Sequence, residues 1–266
     1  MIFDSNYFNF TNMKELKLKK IIHIENEDYD PTFYPIPQDL KHDLTICYKE
    51  SDAPLLLNKG IISDADVHGT HIRSPYDDNV YYRIESYEYS VWREKIFHIS
   101  AIARRLGATE VQFKGLFQNT EERQIDFTTG LVYGVTQTQA SIDYAKKESE
   151  TLKNIINDIN KFDENATIPT IEEYNEAVAY AKVHHLYNDP DVRNMLDSRN
   201  PKDKNLLGER TIHISLCKET NNDLKLALKL GINNIGLQID AEFKEVVKYV
   251  KSIEIDATCK FSLKKG

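Results

Sequence analysis

Apolar positions along this chain keep two rhythms, and the switches between them mark most of the predicted elements. Across residues 87–106, Trp92, Ile96, Ile99, Ala103 and Leu106 recur at steps of four, three, four and three. That is the period of about 3.6 residues of a helix with one buried stripe. Gly107 follows, where a helix stops in a left-handed turn. The period then drops to two, as Val111, Phe113 and Phe117 alternate with Glu110, Gln112 and Lys114. Beyond the polar stretch 118–123, a second alternating run holds Ile125, Phe127, Leu131, Tyr133 and Val135. The two runs predict an antiparallel pair with one face buried and one wet.

A second helical stripe, Ile142, Ala145, Leu152, Ile155, Ile159 and Phe162, lies in a strongly charged stretch. A third helix starts at Thr170, because Thr170-Ile171-Glu172-Glu173 is a capping box. The threonine oxygen accepts from the third helical amide and Glu173 reaches back to the cap. Tyr174, Ala177, Val178 and Ala181 mark its buried side. His184-His185 close it, pointing to different faces, where the helix dipole favours an imidazolium. Residues 200–210 read as a polar connector able to move. Ile212, Ile214 and Leu216 then predict a strand, Leu224, Ala227 and Leu228 a short helix ending at Gly231, and Ile235 the start of another strand. The stretches ARRLGATEVQF and ALKLGINNIGLQI share the order helix, Leu-Gly, turn, strand. Duplication and the ordinary way of stopping a helix before a strand both explain this.

The tail is the least ordinary segment. Over residues 235–263 one parity is apolar at 13 of 15 positions, while the other carries only Val246 and Val250 as large apolar residues. A single strand of that length exceeds the usual range of about 3 to 10 residues. Phe243, Val246, Val247, Val250 and Ile253 also fit a helical stripe, so strand, helix, strand satisfies the same letters. The valines favour strand; Glu242, Lys244, Glu245 and Lys248 favour a helix over about residues 242–251, the reading preferred here. At the other end, the first 80 residues hold five of the eight prolines and no sustained helical stripe. They read as an irregular N-terminal β and loop subdomain, 1–80, ahead of a main α+β domain, 81–266. Residues before Met13 read as a poorly tied arm. Residues 16–25 (LKLKKIIHIE) alternate loosely and read as an edge strand that its lysines guard against further pairing.

Composition narrows what such a chain does. With 266 residues, 41% of them hydrophobic, it can bury one large core or two small ones. The 34 Lys+Arg against 42 Asp+Glu give a formal charge of -8. That balance weakens binding to phosphate backbones, where affinity comes from Lys and Arg displacing counterions, so no nucleic-acid partner is expected. Cys47, Cys217 and Cys259 are odd in number and distant, which argues against a disulfide framework or a cysteine-rich zinc site. A cytoplasmic location is expected. The start has no basic segment leading into an apolar one, and nowhere do about 18 uncharged apolar residues run together. Neither a signal peptide nor a helical anchor is expected.

The most site-like cluster is the run 63–71 (SDADVHGTH), followed by Asp77 and Asp78. Asp64, Asp66, His68 and His71 are the carboxylates and imidazoles that a divalent ion takes, leaving a position for activated water. In a polar loop between strands, the same residue types bond backbone in turns. His68-Gly69-Thr70-His71 also resembles the histidine box of subtilisin-like serine peptidases, where such a run supplies the general base. The resemblance covers four or five residues and implies a nucleophile box elsewhere. The chain has no Ser preceded by Gly-Thr and no G-x-S-x-G, and Ile72-Arg73-Ser74-Pro75 replaces that family's small residues. A base with no nucleophile to deprotonate gives no covalent catalysis. No glycine-rich dinucleotide or P-loop cradle occurs. Arg104-Arg105 meet a helix end or an anion. The tyrosines, several of them close together (Tyr81-Tyr82, Tyr87, Tyr89), suit a protein interface, a lipid headgroup layer or an ordinary core edge.

These readings converge on an α+β protein, an antiparallel β-sheet with long amphipathic strands covered on one face by about three to five helices. No catalytic, cofactor-binding or metal residue is assigned, and no cofactor is expected. The expected function is non-enzymatic binding or assembly, through a protein partner or self-assembly. Its sharper form is an effector that inserts into a membrane after a trigger, its alternating strands refolding into pore-lining hairpins. About 9 to 11 residues cross a bilayer as a tilted strand, and 125–135 and 235–263 both reach that length. Such a chain is similar in general architecture to gasdermin- and perforin-like pore formers, while carrying no motif of theirs. The alternative is a metal-dependent hydrolase centred on Asp64, Asp66, His68 and His71.

Overall fold

The computed structural model describes residues 19–25, 43–48, 51–62, 69–118, 124–126, 131–133, 162, 166–203, 206–215 and 252–264. The chain divides into two compact units, Met1–Tyr87 with Asn222–Ala241, and Glu88–Asn221 with Glu242–Gly266. The architecture is α+β, with two separate, largely antiparallel sheets. Among the described residues it has four α-helices, and no helix long and apolar enough to cross a membrane.

The first unit holds strands β1 (Ile21–Glu25), β2 (Leu44–Tyr48), β3 (Gly69–Arg73) and β4 (Tyr81–Arg83), in the spatial order β2-β1-β3-β4. β1 runs parallel to β2 and antiparallel to β3, which pairs antiparallel with β4. The expectation of an edge strand at 16–25 is therefore corrected, since β1 is flanked on both sides. Its cause lies in IIHIE: Ile21, Ile22 and Ile24 are 0% exposed, and a strand apolar on both faces belongs inside a sheet. Lys19 and Lys20 stand before the strand, where the Lys20 carbonyl accepts from the Arg73 amide at 2.8 Å. Helix α1 (Ala53–Asn58) was not foreseen in this stretch; Pro54 sits in its first turn, where the missing N–H costs nothing. Ala53 and Leu56 join Ile22, Ile24, Cys47, Ile61, Ile62 and Tyr81 in one buried cluster.

The second unit follows the predicted rhythm closely. Helix α2 (Tyr87–Arg105) carries Trp92, Ile96, Ile99, Ala103 and, just past its end, Leu106, all buried as predicted. Gly107 has φ 80°, and a β-carbon there would overlap the Thr167 carbonyl oxygen, so only glycine fits. Five strands, β5 (Ala108–Gln118), β6 (Gln124–Asp126), β7 (Leu131–Tyr133), β8 (Glu209–Ser215) and β9 (Ser252–Phe261), form a sheet ordered β7-β6-β5-β9-β8. Every neighbouring pair in it is antiparallel. The run 125–135 is not one strand: β6 and β7 pair with each other, Ile125 opposite Val132.

Alternation gives the central part of this sheet two unlike faces. Val111 lies opposite Cys259, and Phe113 opposite Ala257, which also faces Ile212; all five are buried. On the other face Glu110 and Glu209 flank Lys260, Gln112 and Thr211 flank Thr258, and His213 faces Asp256. The rows close on themselves: Lys260 Nζ donates to Glu110 at 2.9 Å, the Thr211 and Thr258 hydroxyls are 3.1 Å apart, and His213 Nδ1 is 2.8 Å from Asp256. The Lys260 ammonium and the Gln112 amide hold the Glu110 carboxyl below the usual range. The alternation of the tail continues through Ala257, Cys259 and Phe261 and ends there, Leu263 being 58% exposed. Of the helix expected within 142–162 only Phe162 is described, and it is not helical; the helices expected over 224–231 and over 242–251, and the strand start at 235, lie outside the described residues.

Helix α3 (Ile171–Val183) has both bonds of the predicted capping box, Glu173 N–H to Thr170 Oγ1 at 3.1 Å and Thr170 N–H to Glu173 Oε2 at 2.8 Å. Ala177 and Ala181 are its buried residues. Helix α4 (Pro190–Ser198) is capped by Asp189, whose carboxylate accepts from the Asp191 and Val192 amides. It lies against β8 and α3. Part of the expected connector 200–210 is already strand, since β8 begins at Glu209. Arg199 joins these parts. Fully buried, its guanidinium donates to the carbonyls of Leu106, Leu207 and Ser262 at 3.2, 2.9 and 3.0 Å and lies over the Phe261 ring. Three carbonyls that end a helix, a loop and a strand thus find donors inside the core.

Candidate functional site

Of the four predicted metal-site residues, Asp64, Asp66 and His68 lie outside the described residues. His71 sits in β3 and is buried, its Nδ1 3.2 Å from the Gly69 carbonyl. Asp77 serves the β3–β4 turn, where its Oδ1 accepts from the Asn79 amide at 2.8 Å, and Asp78 lies 3.7 Å from Arg73. These are the bonds expected of a polar turn. Among the described residues no group of three His, Cys, Asp or Glu is placed to hold a metal ion. Both described cysteines are free and buried. Burial pushes the Cys259 thiol up to about 12 and the Cys47 thiol well above its ordinary value, so neither is a ready thiolate.

Pattern reading missed a relay on β1 and β3. The register sets His23 opposite Thr70, and the two-residue period sets Glu25 on the same face as His23. His23 Nδ1 lies 2.8 Å from the Thr70 hydroxyl, and Nε2 2.8 Å from Glu25 Oε1. Both ring nitrogens of His23 thus have a partner, a hydroxyl on one side and a carboxylate on the other. The order hydroxyl, imidazole, carboxylate is that of an activated nucleophile. Exposure decides against that role: Thr70 and His23 are each 4% exposed, within the sheet, whereas an attacking oxygen has to reach a substrate carbon. The relay lets a strand apolar on both sides keep polar groups, each bonded to the next. Its signal in the sequence was His-x-Glu inside an isoleucine run.

A second cluster joins α2 to α3. His98, 5% exposed, has Nδ1 2.8 Å from the Tyr180 hydroxyl and Nε2 3.4 Å from Glu94 Oε1. His184, the residue that ends α3, stacks on His98 with ring centres 3.9 Å apart and lies 4.4 Å from the Tyr180 ring. Arg105 covers the other side: its guanidinium carbon is 4.1 Å from the Tyr180 ring centre, while Nη1 donates to the Ala101 carbonyl at 3.0 Å. Burial raises the Tyr180 phenol, with Arg105 opposing and Glu94 adding. Phe97, edge-on to His98, is an exposed apolar side chain beside the cluster. The expected pairing of His184 and His185 with the helix end is thus only part of the arrangement: His185 takes a left-handed φ of 57° and His184 turns to His98.

No protein-family model matches this chain, and no curated protein or solved structure matches it.

Proposed function

We propose that this chain is a non-enzymatic binding and assembly protein whose second unit inserts into a membrane after a trigger. The observation that supports it is the pairing of β5 with β9, 11 and 10 residues long, over ten rows from Ala108 opposite Phe261 to Gln118 opposite Ser252. Strands of about 9 to 11 residues with one apolar and one polar face are what a tilted membrane sheet requires, apolar to lipid and polar to the lumen. The partners are then other copies of the chain and the bilayer. On the polar face Lys260 is already matched to Glu110, and His213 to Asp256, across strands. Where it is described, at Val111, Phe113, Ala257 and Cys259, the apolar face is buried, so insertion demands that its cover move first.

Dye release from vesicles of phosphatidylcholine and phosphatidylglycerol tests this directly. The full chain is added at about pH 7.5 and about pH 5, with and without limited proteolysis within 200–210. Release under a trigger, together with cross-linked oligomers on the vesicles, is expected. Intact vesicles under every condition would leave only binding to soluble partners.

A further inference from the structure

We propose that Arg199 is the clasp of the second unit, so that the end of α2, the loop after α4 and the end of β9 open together or stay closed together. These three stretches lie far apart along the chain and meet at one side chain. Arg199 directly follows α4, and its Nε, Nη1 and Nη2 each donate to a different stretch, at the carbonyls of Leu106, Leu207 and Ser262. The residue is 0% exposed, and its partners among the described residues are neutral: those carbonyls and the Phe261 ring, whose centre lies 4.8 Å from the guanidinium carbon. Burial lowers the guanidinium pKa, yet a guanidinium keeps its proton in a protein. A full positive charge is thus held away from water by carbonyl dipoles and a ring face.

That arrangement favours opening as a unit. While the site is dry, each bond to the cation is strong. Once one stretch moves off, water reaches the guanidinium, and the two remaining bonds compete with water and lose most of their worth. A charge left with fewer partners is then drawn out of the interior. The backbone bonds around Arg199 follow the same seam: Ser262 N–H donates to the Gly107 carbonyl at 3.0 Å, Phe261 N–H to the Gly208 carbonyl at 2.7 Å, and Ile168 N–H to the Lys264 carbonyl at 2.8 Å. Gly107 lets the seam close, since a β-carbon there would overlap the Thr167 carbonyl oxygen and stand 3.6 Å from Arg199 Nη2. For the membrane-inserting reading, on which this last step rests, the clasp is what has to part before the end of β9 is released.

Native-state hydrogen exchange of the full chain reads the clasp through the amides of Gly107, Phe261 and Ser262, whose own bonds go to backbone carbonyls and not to Arg199. Arg199→Met fills much of the same space without a donor. It should raise exchange at all three amides by roughly tenfold or more, and at Ala257 in the middle of β9 by less than about threefold. Leu207→Gly then tests the coupling, because it frees the loop backbone and leaves the carbonyl in place. In the wild-type background it should speed exchange at Gly107, across the clasp, by roughly fivefold, and in the Arg199→Met background by less than about twofold. Should Arg199→Met fail to fold, Arg199→Lys makes the same comparison, since one ammonium cannot span three carbonyls. Even loosening of Ala257 and Ser262, no loosening at all, or an equal effect of Leu207→Gly in both backgrounds overturns the proposal. Leakage of the same phosphatidylcholine and phosphatidylglycerol vesicles separates the two readings, and Arg199→Met should leak under a milder trigger than wild type. Coupled loosening with no leakage from either protein sinks membrane insertion and leaves the clasp standing. Leakage from both at the same trigger strength sinks the clasp as the restraint on β9.

Discussion

The two sheets of this protein solve one problem in opposite ways. In the first unit β1 is buried on both faces, so its single histidine cannot reach water, and Thr70 and Glu25 bond it inside the fold. In the second unit the sheet turns one face inward, and its polar residues stand on the other, paired loosely across strands. The difference shows where a polar group carries energy. A buried hydroxyl or imidazole must have its bond, because the alternative is desolvation without compensation. An exposed one exchanges protein for water at little net gain. At the α2–α3 joint of the second unit one imidazole, that of His98, is again shut in, with Tyr180 and Glu94 at its two nitrogens.

Substitutions can break or sharpen that contrast. The largest effect is expected at Ile24→Ala, which empties a fully buried position of the central strand and should cost about 2 to 5 kcal/mol in denaturant unfolding; a smaller loss would mean that β1 is not the enclosed strand described. Thr70→Val keeps the shape and removes the hydroxyl that meets His23. It should cost about 1 to 3 kcal/mol by the same measurement, and more than the like change on the wet sheet face. That like change, Thr211→Val, alters an exposed hydroxyl 3.1 Å from Thr258 and should stay within about 0.5 kcal/mol of wild type. If Thr211→Val proved as costly as Thr70→Val, the division into an enclosed sheet and a half-wet one would fail.

How much of this was legible beforehand follows the same division. Wherever one face is wet, the period shows in the letters: the α2 stripe, the Thr170 capping box, β5, β8 and the end of β9 were all readable from spacing. Wherever both faces are dry, the period vanishes, and IIHIE could not be told from a guarded edge. Helix α4 carried a local signal that went unread, an Asp189-Pro190 pair that caps and starts a helix. The relay and the joint carried almost none. Each is assembled from residues far apart along the chain, His23 with Thr70 and His98 with His184, and no local window contains both partners. The capping argument for His184 found the right helix end and missed its partner for that reason.

What this sequence determines alone is where chains of like period begin and stop: side-chain alternation and helix caps act within a few residues, so a short window holds the cause. Which strand lies in the middle, which histidine meets which, and that Arg199 satisfies three separate carbonyls were decided only in the folded molecule. Those outcomes depend on close packing of segments many residues apart, and proximity in space is not written in any one of them.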